Sequence, residues 1–356
     1  MEGFSVDGRA QRVVFGAGAA RSVPREVAGL GACRVLVVSG GSALPLAKSI
    51  ATDLGDLAAA EFGEVRQHVP EPLAVAVCEV AAEHEIDAVV TVGGGSAVGL
   101  GKVVAHTMRV PVVAVPTTYA GSELTDVWGM TSNGTKRIET DPQVLPRVVI
   151  YDPETAVDLP ARATASTGFN ALAHAVEGFY GIRSTPLTRL HALEAIRVLA
   201  AVLPVCVDEP ADLDARARAF YGAYLAGLAF SVTGSALHHK LCHVLGGSHA
   251  VVHGEVNAVL LPYVLAFNAP AVGGLDDGVA AALGGHTDAA QVLRRLAREL
   301  NLPASLAELG IPEADLDLAA ERATVAVGAQ NPRPASPGEI RELLACAHAG
   351  LEPHSV

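Results

Sequence analysis

Asn170 and His174 stand four residues apart, and His239, His243 and His253 follow later in the chain. On a helix, residues at i and i+4 share a face, so Asn170 pairs with His174 and His239 with His243. Three imidazoles and one short polar side chain can converge on a point, as a tetrahedral metal site requires. An amide at Asn170 where a metal would prefer a carboxylate lowers the charge such a site offers. The same side chains can alternatively bind an anionic substrate, stabilise an oxyanion and donate a proton.

The elements that must position these residues are helical. From about residue 159 onward the strand pattern is lost, and Ala-rich helical stretches are expected at 162–180, 188–203, 213–230, 237–245, 289–300 and 340–349. Pro204, Pro262, Pro303 and Pro312 are expected to break or kink them. The first part of the chain alternates instead. Short apolar runs at 34–38, 60–66, 88–92, 112–115 and 147–151 read as strands, with helices at 44–54, at 73–84 and from Ser96 to about His106. Such alternation implies a parallel sheet covered on both faces. Ser132-Asn-Gly-Thr135 signals a hairpin, because Asn-Gly adopts positive φ readily. The expected architecture is an α/β, Rossmann-like dinucleotide-binding domain over residues 1–156 and an all-helical catalytic domain over 157–356.

A strand running into Gly93-Gly-Gly-Ser96 and then a helix makes an anion cradle, with close backbone approach and free N–H donors at the helix start. Pro116-Thr-Thr-Tyr-Ala-Gly-Ser122 follows another strand and offers Thr117, Thr118 and Ser122 as hydrogen-bonding groups. Ser39-Gly40-Gly41 ends an early strand with no acidic residue to read a ribose, which leaves room for a 2′-phosphate.

The net charge of −13 and the absence of a basic stripe argue against nucleic-acid or anionic-membrane binding. A local pocket can still oppose that sign and take a small anionic substrate. Cys33, Cys78, Cys206, Cys242 and Cys346 are scattered, odd in number and without a C-x-x-C pair, as in reduced cytoplasmic proteins. No signal-peptide pattern and no apolar run near the ~20 residues of a membrane span are expected from the sequence.

Together Phe15-Gly-Ala-Gly18, Gly93-Gly-Gly-Ser96, Pro116-Thr-Thr118, Asp152-Pro153, Thr167-Gly168, the histidine block and Leu260-Leu-Pro262 resemble the iron-containing alcohol dehydrogenase superfamily. Within it, Phe169-Asn-Ala-Leu-Ala-His174 and Leu237-His-His-Lys-Leu-Cys-His-Val-Leu-Gly-Gly247 resemble the maleylacetate reductases. The resemblance covers nearly the whole chain. It implies NADH- or NADPH-dependent reduction of maleylacetate to 3-oxoadipate in aromatic catabolism, by a homodimer with its active site between the two domains. It also implies a pyrophosphate held by Gly94, Gly95 and Ser96, with Gly40 and Ser122 nearby, Thr117 and Thr118 along the nicotinamide and Lys136 at a ribose. In metal-dependent relatives the positions of Asn170, His174, His239 and His253 carry the ligands, and that of His243 lies beside the substrate.

An enone substrate relaxes the need for a metal. Hydride addition to its β carbon leaves a delocalised enolate, which a protonated imidazole can stabilise without a Lewis acid. A simple alcohol dehydrogenase makes a localised alkoxide and depends on the metal more. His243 is therefore the first choice of proton donor, with His253, His174 and His239 polarising the carbonyl or binding carboxylate. Asn170 and Lys240 complete the substrate-binding set, and no metal is expected. The alternative is an iron- or zinc-dependent alcohol or polyol dehydrogenase. His253-Gly-Glu-Val-Asn257, Leu261-Pro-Tyr263 and His249 depart from the reductase pattern near the substrate.

Overall fold

The structure, a computed structural model, describes residues 4–6, 8–132, 135–249, 251–285 and 288–353, with the backbone alone at 135–136. It divides into an α/β unit, Gly8–Leu159 with Pro210–Phe220, and a helical unit, Pro160–Glu209 with Tyr221–Val356. The expected single cut after residue 156 is therefore corrected. The boundary falls three residues later, residues 4–6 group with the helices, and Pro210–Phe220 returns to the α/β unit. Local packing explains that return. The buried Arg216 donates to the Tyr119 hydroxyl at 3.1 Å, and the Phe220 ring lies 5.1 Å from Tyr119 and 5.4 Å from Tyr151.

In the α/β unit the strands are β1 (Arg12–Phe15), β2 (Val35–Ser39), β3 (Ala58–Phe62), β4 (Ala88–Gly93), β5 (Val112–Pro116), β6 (Val127–Ser132), β7 (Thr135–Thr140) and β8 (Val148–Tyr151). Six form a sheet in the order β1-β8-β5-β4-β2-β3, every neighbouring pair parallel. Alternating side chains split between its faces. Val35, Val37, Val90 and Val92 pack with α1 (Val23–Gly29) and α2 (Leu44–Leu54). Leu36, Val38 and Val89 pack with α3 (Glu71–Glu83) and α4 (Gly95–Met108). The third strand ends at Phe62 rather than Arg66, because its last partner is Val38, just before β2 stops at Ser39. Strands β6 and β7 form the expected antiparallel ribbon, from Val127↔Thr140 to Ser132↔Thr135. The Asn133-Gly134 turn lies outside the described residues.

The helical elements are α5 (Ala161–Tyr180), α6 (Pro186–Asp208), α7 (Leu213–Thr233), α8 (Leu237–Ser248), α9 (His253–Asn268), α10 (Leu275–Ala282), α11 (Ala289–Glu299), α12 (Leu316–Val327) and α13 (Pro337–Ala349). Two prolines expected to break helices do not. Pro204 lies inside α6 and Pro262 inside α9. A proline there removes one backbone hydrogen bond, and burial of Leu203 and Cys206, and of Leu261 and Tyr263, holds each helix together. The helix expected at 188–203 is longer and more apolar than the expectation of no membrane-length run allowed. By length and apolarity α6 could cross a membrane, with 23 residues and a window of mean hydropathy 1.9. Here its Ala192, Ala195, Ile196 and Leu199 are buried, and it packs on α5.

Gly254, next to His253, lets α9 approach α5. A Cβ there would lie 2.3 Å from the Ser166 carbonyl oxygen, which is backbone and has nowhere to go. Gly254→Ala is expected to lower unfolding free energy by about 1–3 kcal/mol. Gly247→Ala, with nothing within 4 Å, should be neutral or stabilise by up to ~1 kcal/mol. Urea denaturation of the two variants checks this, and equal midpoints would contradict the close approach.

Candidate active site

Two groups of residues carry chemistry, one in each unit. In the α/β unit, β4 runs into Gly93, whose φ of 147° suits glycine, and α4 begins at Gly95 with no side chain capping its first turn. Such an end offers N–H donors and a favourable dipole to an anion. The neighbouring loop closes on it. A Cβ on Gly94 would lie 3.0 Å from the Thr118 side chain, and one on Gly95 would meet Ala120 and Ser122 at 3.5 and 3.7 Å. The Thr117 N–H donates to the Gly93 carbonyl at 3.1 Å. Gly94, Gly95, Ser96, Thr117, Thr118 and Ser122 are thus brought together, and the cradle fits a dinucleotide pyrophosphate. Gly40 is extended, and a Cβ there would lie 2.6 Å from that of Val65, so close packing demands this glycine. Backbone pairing sets Lys136 opposite Thr131, and its side chain lies outside the described residues.

Two features of this unit escaped the sequence reading. A cavity of about 390 Å³ opens at the carboxyl ends of the strands, lined by Arg21, Ser42, Ile50, Asp53, Thr117 and Asp158 among others. Ligands of open α/β sheets bind at such ends. The second is Lys102, fully buried on α4. Its Nζ donates to the Ser122 carbonyl at 2.6 Å, the Val127 carbonyl at 2.8 Å and Thr125 Oγ1 at 3.0 Å, tying the glycine helix to the facing loop. Burial pulls its pKa down to about 7, against the opposing charges of Glu123 and Asp126.

In the helical unit, α5 carries Asn170 and His174, α8 carries His239 and His243, and α9 begins at His253. The four imidazoles form one cluster. His174 and His239 stack at 4.7 Å between centroids, His243 and His253 at 5.7 Å, and His239 lies 6.3 Å from His243 and 6.2 Å from His253. Phe230 packs 4.2 Å from His174 and 4.8 Å from His239. Asn170, His174 and His239 are buried, while His243 and His253 are half-buried. Lys240 is half-buried and points about 100° round the helix from His239. It does not extend the ring cluster.

Burial sets the protonation of the inner pair. It holds His174 well below the usual imidazole range, with further lowering from His239 and His238. It also takes His239 down to about 3, helped by the charge of Lys240. Both are therefore neutral near pH 7. His239 Nδ1 lies 2.7 Å from Glu177 Oε2, and its Nε2 is buried with no hydrogen bond. Glu177 follows Asn170 and His174 at i+7 and i+3 on the face of α5 that they share, a spacing from which it could have been found. A neutral His239 that donates from Nδ1 offers a lone pair at Nε2.

The ligand set implied by the resemblance fits a metal poorly. Three imidazoles, which are neutral ligands, and an amide leave a divalent ion without a compensating negative charge. Asn170 adds no charge. Among the described residues, the metal-competent side chains whose ligand atoms lie within 4.8 Å of one another are Glu177, His238 and His239 instead. Their atoms are already hydrogen-bonded: Glu177 to His239, and His238 Nε2 to the Asn257 carbonyl at 3.1 Å.

The iron-containing alcohol dehydrogenase family matches residues 10–153, and the C-terminal part of the Fe-containing alcohol dehydrogenase family matches residues 164–348. The chain is 46% identical over 346 residues to maleylacetate reductase 2 of Cupriavidus pinatubonensis, covering 96% of each. It is 42% identical over 353 residues to a maleylacetate reductase of Burkholderia cepacia, covering 99% of this chain and 100% of that one. The crystal structure of a maleylacetate reductase from a Rhizobium species superposes with a TM-score of 0.93 at 41% identity, covering 99% and 100% of the two chains. With both halves matched and full-length relatives above 40% identity, the chain belongs to the iron-containing alcohol dehydrogenase family.

Proposed function

We propose that this protein reduces maleylacetate, or a closely related unsaturated oxo-dicarboxylate, with NADH or NADPH, and that it does so without a metal. One observation carries the reading: four imidazoles share a cluster whose buried carboxylate, Glu177, is already engaged by hydrogen-bond donors. Asn170 keeps a second negative charge out of it. Such a surface tolerates a dianion, which a carboxylate in that position would repel. The full-length likeness to maleylacetate reductases supports the substrate class.

NAD(P)H, when bound at the glycine cradle, supplies the hydride. The substrate accepts it at the alkene carbon β to the ketone, and the C=C electron pair moves through the α carbon onto the ketone oxygen as an enolate. A protonated His243, half-buried and within reach of solvent, donates a hydrogen bond to that oxygen and then transfers its proton to the α carbon as the ketone re-forms, leaving a neutral imidazole. His253, stacked beside it, binds a substrate carboxylate. The neutral His174 and His239 form the floor, and Asn170 supplies an uncharged hydrogen-bonding group. Lys240 contributes long-range positive charge. The net charge of −13 supports the absence of a nucleic-acid or anionic-membrane partner, and a cytoplasmic homodimer is part of the same proposal.

Anaerobic mixing with maleylacetate should oxidise NADH or NADPH at a rate that a chelator leaves unchanged. No oxidation of either nucleotide would end the substrate assignment. Loss of rate with chelator, restored by iron or zinc, would end the metal-free mechanism and favour the metal-dependent alternative. His243→Ala should lower kcat roughly 10²–10⁴-fold while nucleotide affinity, read by fluorescence titration, is retained. Full activity in that variant would remove His243 from the proton-transfer role.

A further inference from the structure

We infer that Glu177 is a positioning residue that locks His239 into one tautomer, proton on Nδ1 and lone pair on Nε2. Its effect on turnover rests on the reading of His243 as proton donor. Two independent contacts carry the assignment. Glu177 Oε1 accepts from the backbone N–H groups of Ala236 at 3.1 Å and His239 at 3.3 Å and from the Tyr180 hydroxyl at 3.4 Å, leaving Oε2 for His239 Nδ1 at 2.7 Å. The two backbone donors on Oε1 belong to the start of α8, where the helix dipole favours an ionised carboxylate against the burial that raises the Glu177 pKa. On the other side, His238 Nε2 lies 3.1 Å from the Asn257 carbonyl and must donate to it, so its Nδ1 is a lone pair. That lone pair lies 3.4 Å from His239 Nδ1. A proton on His239 Nδ1 satisfies both neighbours. Its absence would oppose the His238 lone pair and the carboxylate in a buried site.

His239 Nε2 is thereby the acceptor of the cluster, for a proton-bearing neighbour such as His243, directly or through one water. Glu177→Gln would reverse this. The amide oxygen must take the Oε1 position, where three donors converge, and its NH₂ then donates to His239 Nδ1. The ring proton moves to Nε2, and a donor faces a donor.

Long-range ¹H–¹⁵N NMR of the histidine-labelled, unliganded full chain reads the tautomer, with His239 assigned by its loss in His239→Gln. The Nδ1-protonated pattern is expected near pH 7, and an Nε2-protonated or imidazolium pattern would overturn the assignment. In Glu177→Gln the pattern should reverse, with kcat falling roughly 10–100-fold at unchanged nucleotide KM. An unreversed pattern there would also overturn it. If that variant does not fold, the wild-type spectrum decides alone. The spectrum needs no turnover, so it stands or falls separately from maleylacetate reduction.

Discussion

The helical unit is organised around one buried carboxylate. Glu177 leaves α5 and meets the first N–H groups of α8 and the Nδ1 of His239, so it joins helix to helix and orients an imidazole at once. A charge out of water is costly unless its lone pairs find donors, and here two of the donors are backbone N–H groups fixed at the start of α8. Losing the anion would strand buried N–H groups and a buried imidazole together. Breaking a buried charged contact of this type costs about 3–5 kcal/mol. Structural and chemical demands on Glu177 are therefore the same demand.

The α/β unit solves a different problem, bringing backbone close to a polyanion in a chain of net charge −13. It uses dipoles and close approach more than side-chain charge. Gly94 and Gly95 leave room only for the loop side chains that face them, and α4 starts uncapped. Lys102 is spent inward, on two carbonyls and a hydroxyl, where it holds loop to helix rather than meeting a ligand.

The histidine cluster divides by burial. His174 and His239 are kept neutral because desolvation penalises their charged forms. His243 and His253 keep partial access to solvent, as proton exchange requires. Residues of one type and one cluster therefore differ in depth, and the deep pair is held neutral. Asn170 extends this logic, since a carboxylate in its place would recharge the inner pair and oppose an anionic substrate.

Sequence alone determined the short apolar runs of the sheet, the glycine cradle after β4, and the Asn170–His174 and His239–His243 spacings, because these are local consequences of chain geometry. It also carried the family likeness. Tertiary structure decided what depends on distant partners. The return of Pro210–Phe220 to the α/β unit follows from Arg216 and Phe220 meeting Tyr119. Pro204 and Pro262 remain inside helices because flanking side chains are buried. Glu177 shared the helical face of Asn170 and His174 and was legible in principle. Its partner lies 62 residues on, however, and only folding brings carboxylate and imidazole to 2.7 Å. The sequence named the imidazoles, and packing chose which nitrogen of His239 bears the proton.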